Sequence, residues 1–239
     1  MNINPALMAL LLTATCAPGL AQTNNSQCDL RHGFGPFDYR PDKQRPSEER
    51  MSYTEKLNLV QGAHFTPRVE NLIGAQSGGQ IGPPGADIDY TLRAFPNNHR
   101  ALIAVIRYGE KYKSETPPAL RVSVECYLAN AMRFAPDDTI VRIIYSSYLG
   151  KHNRETEAAD QLNIATNLAE SGFTHYNIGL AYFDMKRYEL ALASAHRALA
   201  MGFDRELLKE KLKSVGSWSD YVPSVANDAA SAAPSDAKH

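Results

Sequence analysis

The sequence predicts an all-α chain. About three helical hairpins stack into an array, a C-terminal helix caps it, and an irregular N-terminal arm precedes it. Three observations lead there. Two stretches repeat each other at a spacing of 33 residues, with Ser146 matching Gly179, Leu149 matching Tyr182, Ala158 matching Ala191 and Ala165 matching Ala198. A fixed period of this length marks a stack in which each unit buries its apolar face on the next. From Asn98 onward, apolar residues such as Leu102, Val105, Ile106 and Tyr112 recur at three- and four-residue steps, the period of a helix. Residues 22–97 differ from the rest, being rich in Gly, Pro, Asn and Gln with scattered aromatics.

The chain has 239 residues and a net charge of −1. That length allows one large or two small domains. The near balance of charge excludes a global field that would draw nucleic acid or an anionic membrane. Residues 1–21 read as a signal peptide: a short apolar run from Ala6 to Ala14, then Pro18, Gly19 and Ala21, with cleavage expected after Ala21. No Lys or Arg precedes the run, which departs from the usual pattern. The run is too short for a hydrocarbon core of roughly 30 Å, and no later segment approaches ~18 apolar residues, so no transmembrane segment is expected. Lipid attachment at Cys16 would need a small residue before it, and Thr15 stands there. The expected destination is the periplasm. Removal of the leader leaves Cys28 and Cys126. An even count in an exported chain suits a disulfide between arm and array; the alternative is a buried Cys126 and a free Cys28.

Along the arm, Gly33 to Tyr39 form a turn-rich aromatic patch. Ser52 and Glu55 suit a capping box before a short helix, although Leu57, Leu59 and Gln61 alternate as a strand would. Thr66-Pro67 is a helix start with the hydroxyl as cap, and Val69, Leu72 and Ile73 would be that helix's buried side. Gly74 to Gly85 reads as a mobile Gly/Pro/Gln loop. Asp87 or Asp89 is expected to cap a further short helix that Pro96 ends.

The array, residues 98–215, begins with a helix from Asn98. Pro117 and Pro118 interrupt it and pre-form the next, Ala119 to Phe134. Asp137 or Asp138 caps a helix closed by Gly150. Residues 155–170 form its partner, closed by Gly172. Helices 173–186 and 188–201 form the clearest hairpin. The last helix, 204–215, has Leu207, Leu208, Leu212 and Val215 inside and Lys209, Glu210, Lys211 and Lys213 outside, as an end cap requires. Residues 216–239 turn to Ala, Ser, Asp and Pro and read as a disordered tail.

Small residues carry the hairpin packing. Gly179, Ala191 and Ala198 let the two helices approach, and Tyr182 and Tyr188 fill the wedge. With Ile178-Gly179, Tyr182, Tyr188, Ala191 and Ala198-Leu199, the segment 173–200 resembles a tetratricopeptide repeat. Residues 139–171 match more weakly through Leu149, Ala158, Leu162 and Ala165, with Asn153 in place of a turn glycine. Residues 99–136 form a third, degenerate unit. The resemblance implies that the first helix of each repeat lines a concave face. Carried over, that face is Phe173, Tyr176, Asn177, Leu180, Phe183 and Asp184, preceded by Ile140, Ile143, Ile144, Ser147 and Lys151. Such a groove suits an extended segment or helix with apolar anchors. The arm's own aromatics are the alternative occupant, since an open apolar patch of this size is uncommon.

Catalytic and metal chemistry find little support. No H-E-x-x-H or C-x-x-C pattern occurs among the seven histidines and the cysteines, and His175 and His196 read as half-exposed packing residues. The loop Gly74 to Gly82 lacks the Lys-Ser/Thr of a phosphate cradle. Arg93, Arg100 and Arg107 recur every seven residues but Pro96 breaks the line, so a solvated face is expected. The segment His64 to Glu70 holds a His, a hydroxyl, an Arg and a Glu, with no group placed in sequence to orient the His. The expectation is therefore a non-enzymatic exported scaffold without cofactor that binds a protein or peptide segment and serves cell-envelope assembly. The alternative is an enzyme or small-ligand carrier using His64, Thr66, Arg68 or Glu70 between arm and array.

Overall fold

A computed structural model describes residues 28, 30, 33–43, 51–77 and 79–222. The expected signal peptide, and the tail beyond residue 222, lie outside the described residues. Ten α-helices, one 3-10 turn (Pro41–Lys43) and one small hairpin of strands are the regular elements of the described chain. In order the α-helices and strands are α1 (Tyr53–His64), α2 (Pro67–Glu70), β1 (Ala75–Ser77), β2 (Gln80–Gly82), α3 (Gly85–Ala94), α4 (His99–Tyr112), α5 (Val124–Phe134), α6 (Thr139–Lys151), α7 (Glu155–Leu168), α8 (Gly172–Asp184), α9 (Tyr188–Ala200) and α10 (Glu206–Ser214). Among the described residues, the regular structure is helical apart from that hairpin. None of these helices is long and apolar enough to cross a membrane.

The two C-terminal hairpins, α6–α7 and α8–α9, repeat each other position by position. Their first helices begin at Thr139 and Gly172 and end at Lys151 and Asp184, and their second helices begin at Glu155 and Tyr188. Each corresponding pair differs by 33, as 172 does from 139. The turns match as well: Asn153 and Lys186 both adopt left-handed φ, at 59° and 58°. Arg154 N donates to Leu149 O and Arg187 N to Tyr182 O, both at 2.9 Å. Small residues at the crossings are buried, including Ala158, Ala165, Ala191 and Ala198. A side chain at Gly179 would collide with Leu208 of α10 and crowd Ala191 and Ser194 of α9. That close approach is why this position has no side chain. The α10 helix lies on α8 and α9 with Leu208 and Leu212 buried.

The N-terminal segment is more ordered than its composition suggests. The Ser52–Glu55 capping box forms, and α1 is a helix rather than a strand. Leu30, Phe65, Val69, Leu72, Ile88 and Leu92 share one core with α4, α5 and α6. A second cluster gathers Phe34, Phe37, Tyr39, Tyr53 and Leu57 around Val60, Ala94 and Phe95. Cys28 and Cys126 form a disulfide, with Cα atoms 5.0 Å apart, that ties the arm to α5.

Several local expectations are corrected. The Thr66 hydroxyl makes no cap bond. Leu72 takes φ 58°, which turns the chain out of α2, so Ile73 leaves the buried stripe and is exposed. Gly74 to Gly85 is not all loop: Ser77 pairs with Gln80 in a hairpin whose turn holds Gly79 at φ 81°. Neither Asp87 nor Asp89 caps α3, which begins at Gly85 after Pro84; Asp87 faces His64 and Asp89 is buried against Tyr127 and Arg93. The helix expected from Ala119 begins at Val124 with Ser123 as cap, because Ala119 sits at φ 65°. Gly150 lies inside α6 and Asn153 supplies the left-handed turn. Gly172 opens α8 after the Ser171 cap. Leu207 and Val215 are exposed, since the apolar contact of α10 with α8 and α9 runs through the Leu208–Leu212 stripe. His175 is buried, not half-exposed.

Candidate binding groove

Three helices build the candidate site, and each is started by a side-chain cap. Asn98 caps α4 through Ala101 N, Asp138 caps α6 through Ile140 N and Val141 N, and Ser171 caps α8 through Thr174 N. Such caps satisfy backbone N–H groups that the helix leaves orphaned. From these starts, α4 presents His99, Ile103 and Arg107 at four-residue steps along one face. The α6 helix presents Ile140, Ile143, Ile144, Ser147 and Lys151, and α8 presents Phe173 and Asn177. Together with Ile106 and Tyr148, these residues line a cleft of about 480 Å³. Ile106 and Ile144 form a buried floor, whereas Ile103 and Phe173 stand 46% and 53% exposed on opposite walls.

The cleft continues at both ends. A space of about 390 Å³ shares Ile106 and Tyr148 and adds Glu110, Glu115 and His152. Another of about 430 Å³ shares Ser147 and Lys151 and adds Glu155, Asp184 and Met185. The result is a groove across α4, α6 and α8 with an apolar middle and mixed polar ends.

Its polar rim is partly fixed. Lys151 Nζ donates to Glu110 at 2.6 Å, and Asn177 Nδ2 donates to the Phe173 carbonyl at 2.8 Å. Tyr148 donates to Glu115 at 2.8 Å; burial and that carboxylate push the phenol well above its ordinary range. His99 Nε2 lies 2.9 Å from Asp138 Oδ2. Asp138 also accepts from Asn97 Nδ2 at 2.9 Å and lies 3.7 Å from Arg40 Nε. Burial opposes the Asp138 charge, but hydrogen bonds from His99 and Asn97 and the Arg40 charge outweigh it and hold the carboxyl below its usual range. This knot joins the starts of α4 and α6 to the arm, where Arg40 also binds Asp38 at 2.7 Å and Asp137 at 3.0 Å.

Seven of the eleven residues expected on the concave face line the central cleft: Ile140, Ile143, Ile144, Ser147, Lys151, Phe173 and Asn177. Asp184 lines the adjoining space and faces Lys211 at 3.5 Å. Tyr176, Leu180 and Phe183 are elsewhere. The Tyr176 ring lies 5.4 Å from Phe203, Phe183 lies 5.3 Å from Tyr188 with Lys211 over its face, and Leu180 packs in the C-terminal core. The reason is α10, which covers the stripe that these three residues share. Sequence reasoning missed His99, Ile103, Ile106, Arg107 and Tyr148. The four-residue steps from His99 to Arg107 were the available signal. Among the described residues, none before His99 lines the cleft, so the described part of the arm does not fill it.

The arm's reactive residues do not assemble. His64 Nδ1 lies 2.8 Å from Asp87 Oδ1, with its ring stacked on Tyr90. Asp87 thus supplies an orienting group that the sequence did not reveal. Glu70 instead takes Nε and Nη2 of Arg100, Nε at 2.8 Å, and no side chain-to-side chain hydrogen bond joins any two of His64, Thr66, Arg68 and Glu70 among the described residues. No group of three or more His, Cys, Asp or Glu side chains among the described residues is placed to hold a metal ion.

Comparison with known proteins gives no match: no family model fits the chain, and no curated protein or solved structure resembles it.

Proposed function

We propose that this protein is an exported, non-enzymatic scaffold of tetratricopeptide type, which holds a segment of a partner protein in the groove of α4, α6 and α8 during cell-envelope assembly. One observation carries the reading: an apolar cleft of about 480 Å³ that the described arm leaves open, with large apolar side chains exposed on both walls. Contiguous exposed apolar surface of this kind marks sites of association, and a hydrophobic groove between helices is a common seat for a peptide. The 33-residue repetition of the two hairpins supports the repeat family, and α10 has the place of an end cap. The Cys28–Cys126 bond and the apolar leader support export to the periplasm, since such bonds persist in oxidising compartments.

Affinity capture from envelope extract, quantified against Ile103→Asp, tests the reading. Ile103 is half exposed, so the variant should fold with unchanged helicity and lose the co-purifying proteins. Undiminished capture by the folded variant contradicts the groove assignment. The oriented His64–Asp87 pair is the one observation favouring a ligand or catalytic site on the arm, and dependence of any activity on His64→Gln would bring that reading forward.

A further inference from the structure

The charge on the rim specifies the occupant further, on the reading that the groove holds a protein segment. Besides the Tyr148 phenol, the ionisable side chains lining the central cleft are the basic ones His99, Arg107 and Lys151, with no carboxylate among them. Two of the three are engaged. His99 faces Asp138 at 2.9 Å, and Lys151 faces Glu110 at 2.6 Å. Arg107 makes no hydrogen bond or ion pair among the described residues, and its side chain is exposed on the groove wall. The nearby carboxylates are otherwise occupied: Glu110 by Lys151 and Glu70 by Arg100. Arg107 stands four residues from Ile103, so one turn of α4 places a guanidinium, whose charge Glu70 feels without direct contact, about 6 Å along the axis from an exposed aliphatic side chain. A guanidinium is well suited to a carboxylate because its planar fork can donate two parallel hydrogen bonds.

From this juxtaposition we infer that the groove takes an amphipathic acidic segment, in which an apolar anchor packs against Ile103 and an Asp or Glu one step along the segment meets Arg107. The roughly 6 Å offset sets the spacing. It corresponds to four residues in a helix or two in an extended strand. The anchor provides most of the affinity by leaving water, and the carboxylate sets register and direction. A segment with Lys or Arg at that place meets like charge and is rejected, which is specificity by repulsion as well as attraction.

A displayed random-peptide library, selected against the full oxidised chain and its Arg107→Glu and Ile103→Asp variants, tests this. The wild type should enrich peptides with an acidic residue at a fixed two- or four-residue offset from a large apolar one. Arg107→Glu should enrich basic residues at the same offset and weaken an acidic winner by about tenfold or more. Both winners should fail on Ile103→Asp. Peptides that require Ile103 but show no acidic preference, or bind Arg107→Glu equally, overturn the charge inference and leave the groove standing. Peptides indifferent to Ile103, or no enrichment at all, overturn the groove reading and this inference together. Circular dichroism of each variant confirms that the fold is present.

Discussion

Asp138 shows how one side chain serves both fold and site. Its carboxylate caps α6, accepts from Asn97 and faces His99 across the start of α4. Replacing it with Ala removes the cap of α6 and its hydrogen bonds to Asn97 and His99, although Asn97 keeps Asp38, which costs about 1–3 kcal/mol, measurable as a lower midpoint in urea unfolding. The same knot sets a pH dependence. The Asp38 and Asp138 carboxyls are held low against opposing burial, Asp38 by hydrogen bonds from Arg40 and Asn97 and Asp138 by those from His99 and Asn97, while the Arg40 side chain is the main influence on Asp137. A carboxyl whose folded pKa lies below its unfolded one stabilises the fold above the unfolded value, and that contribution is lost as pH falls through the folded value. The clamp between arm and array should therefore loosen below about pH 4. The amide of Tyr39, which donates to Asn97 Oδ1 at 2.8 Å, reports on it directly. Its hydrogen exchange should accelerate on acidification before the amides of α8 and α9 do.

At the scale of elements, the hairpins hold together through close approach. Gly179→Val inserts a branched side chain where Leu208, Ala191 and Ser194 already stand, so overpacking should cost about 1–3 kcal/mol and show in thermal unfolding, with α10 loosened first. The helical character of 98–215 and the hairpin boundaries of α6 to α9 were legible in the sequence, because small residues recur at a fixed period where backbones meet. The residues that the same register assigned to α6 line the cleft. The register failed on α8 for Tyr176, Leu180 and Phe183: a stripe that faces the next repeat in the middle of an array faces α10 at its end. It was silent on α4, because the longer turn between α4 and α5 breaks the period, so Ile103 and Arg107 could not be aligned with their counterparts on α6. The N-terminal segment was read as irregular because it is rich in Gly, Pro, Asn and Gln. Much of its contribution to the core comes from single residues such as Phe65, Ile88 and Leu92, which no periodic pattern announces.

For the whole molecule, the arm and the array act as one body because of a shared core, the Arg40 knot and the Cys28–Cys126 bond. That bond closes a loop of 98 residues in sequence, worth up to about 4–5 kcal/mol in the chain-entropy view. Cys28→Ser with Cys126→Ser should lower the melting temperature and raise exchange in residues 33–43, while α8 and α9 keep their protection. Equal loosening of both ends would mean that the bond supports the array and not the arm. With the arm fastened along Phe95 and the starts of α4 and α6, the groove is left facing outward between α4 and α8. Its use by a partner is the central claim, and site-specific photocrosslinking in the cell that makes the protein tests it most directly. A photoreactive phenylalanine analogue at Ile103 should yield a discrete covalent adduct with a partner protein. The same analogue at the exposed Leu190 of α9 should yield none. Adducts from position 190 but not from 103 would contradict the account.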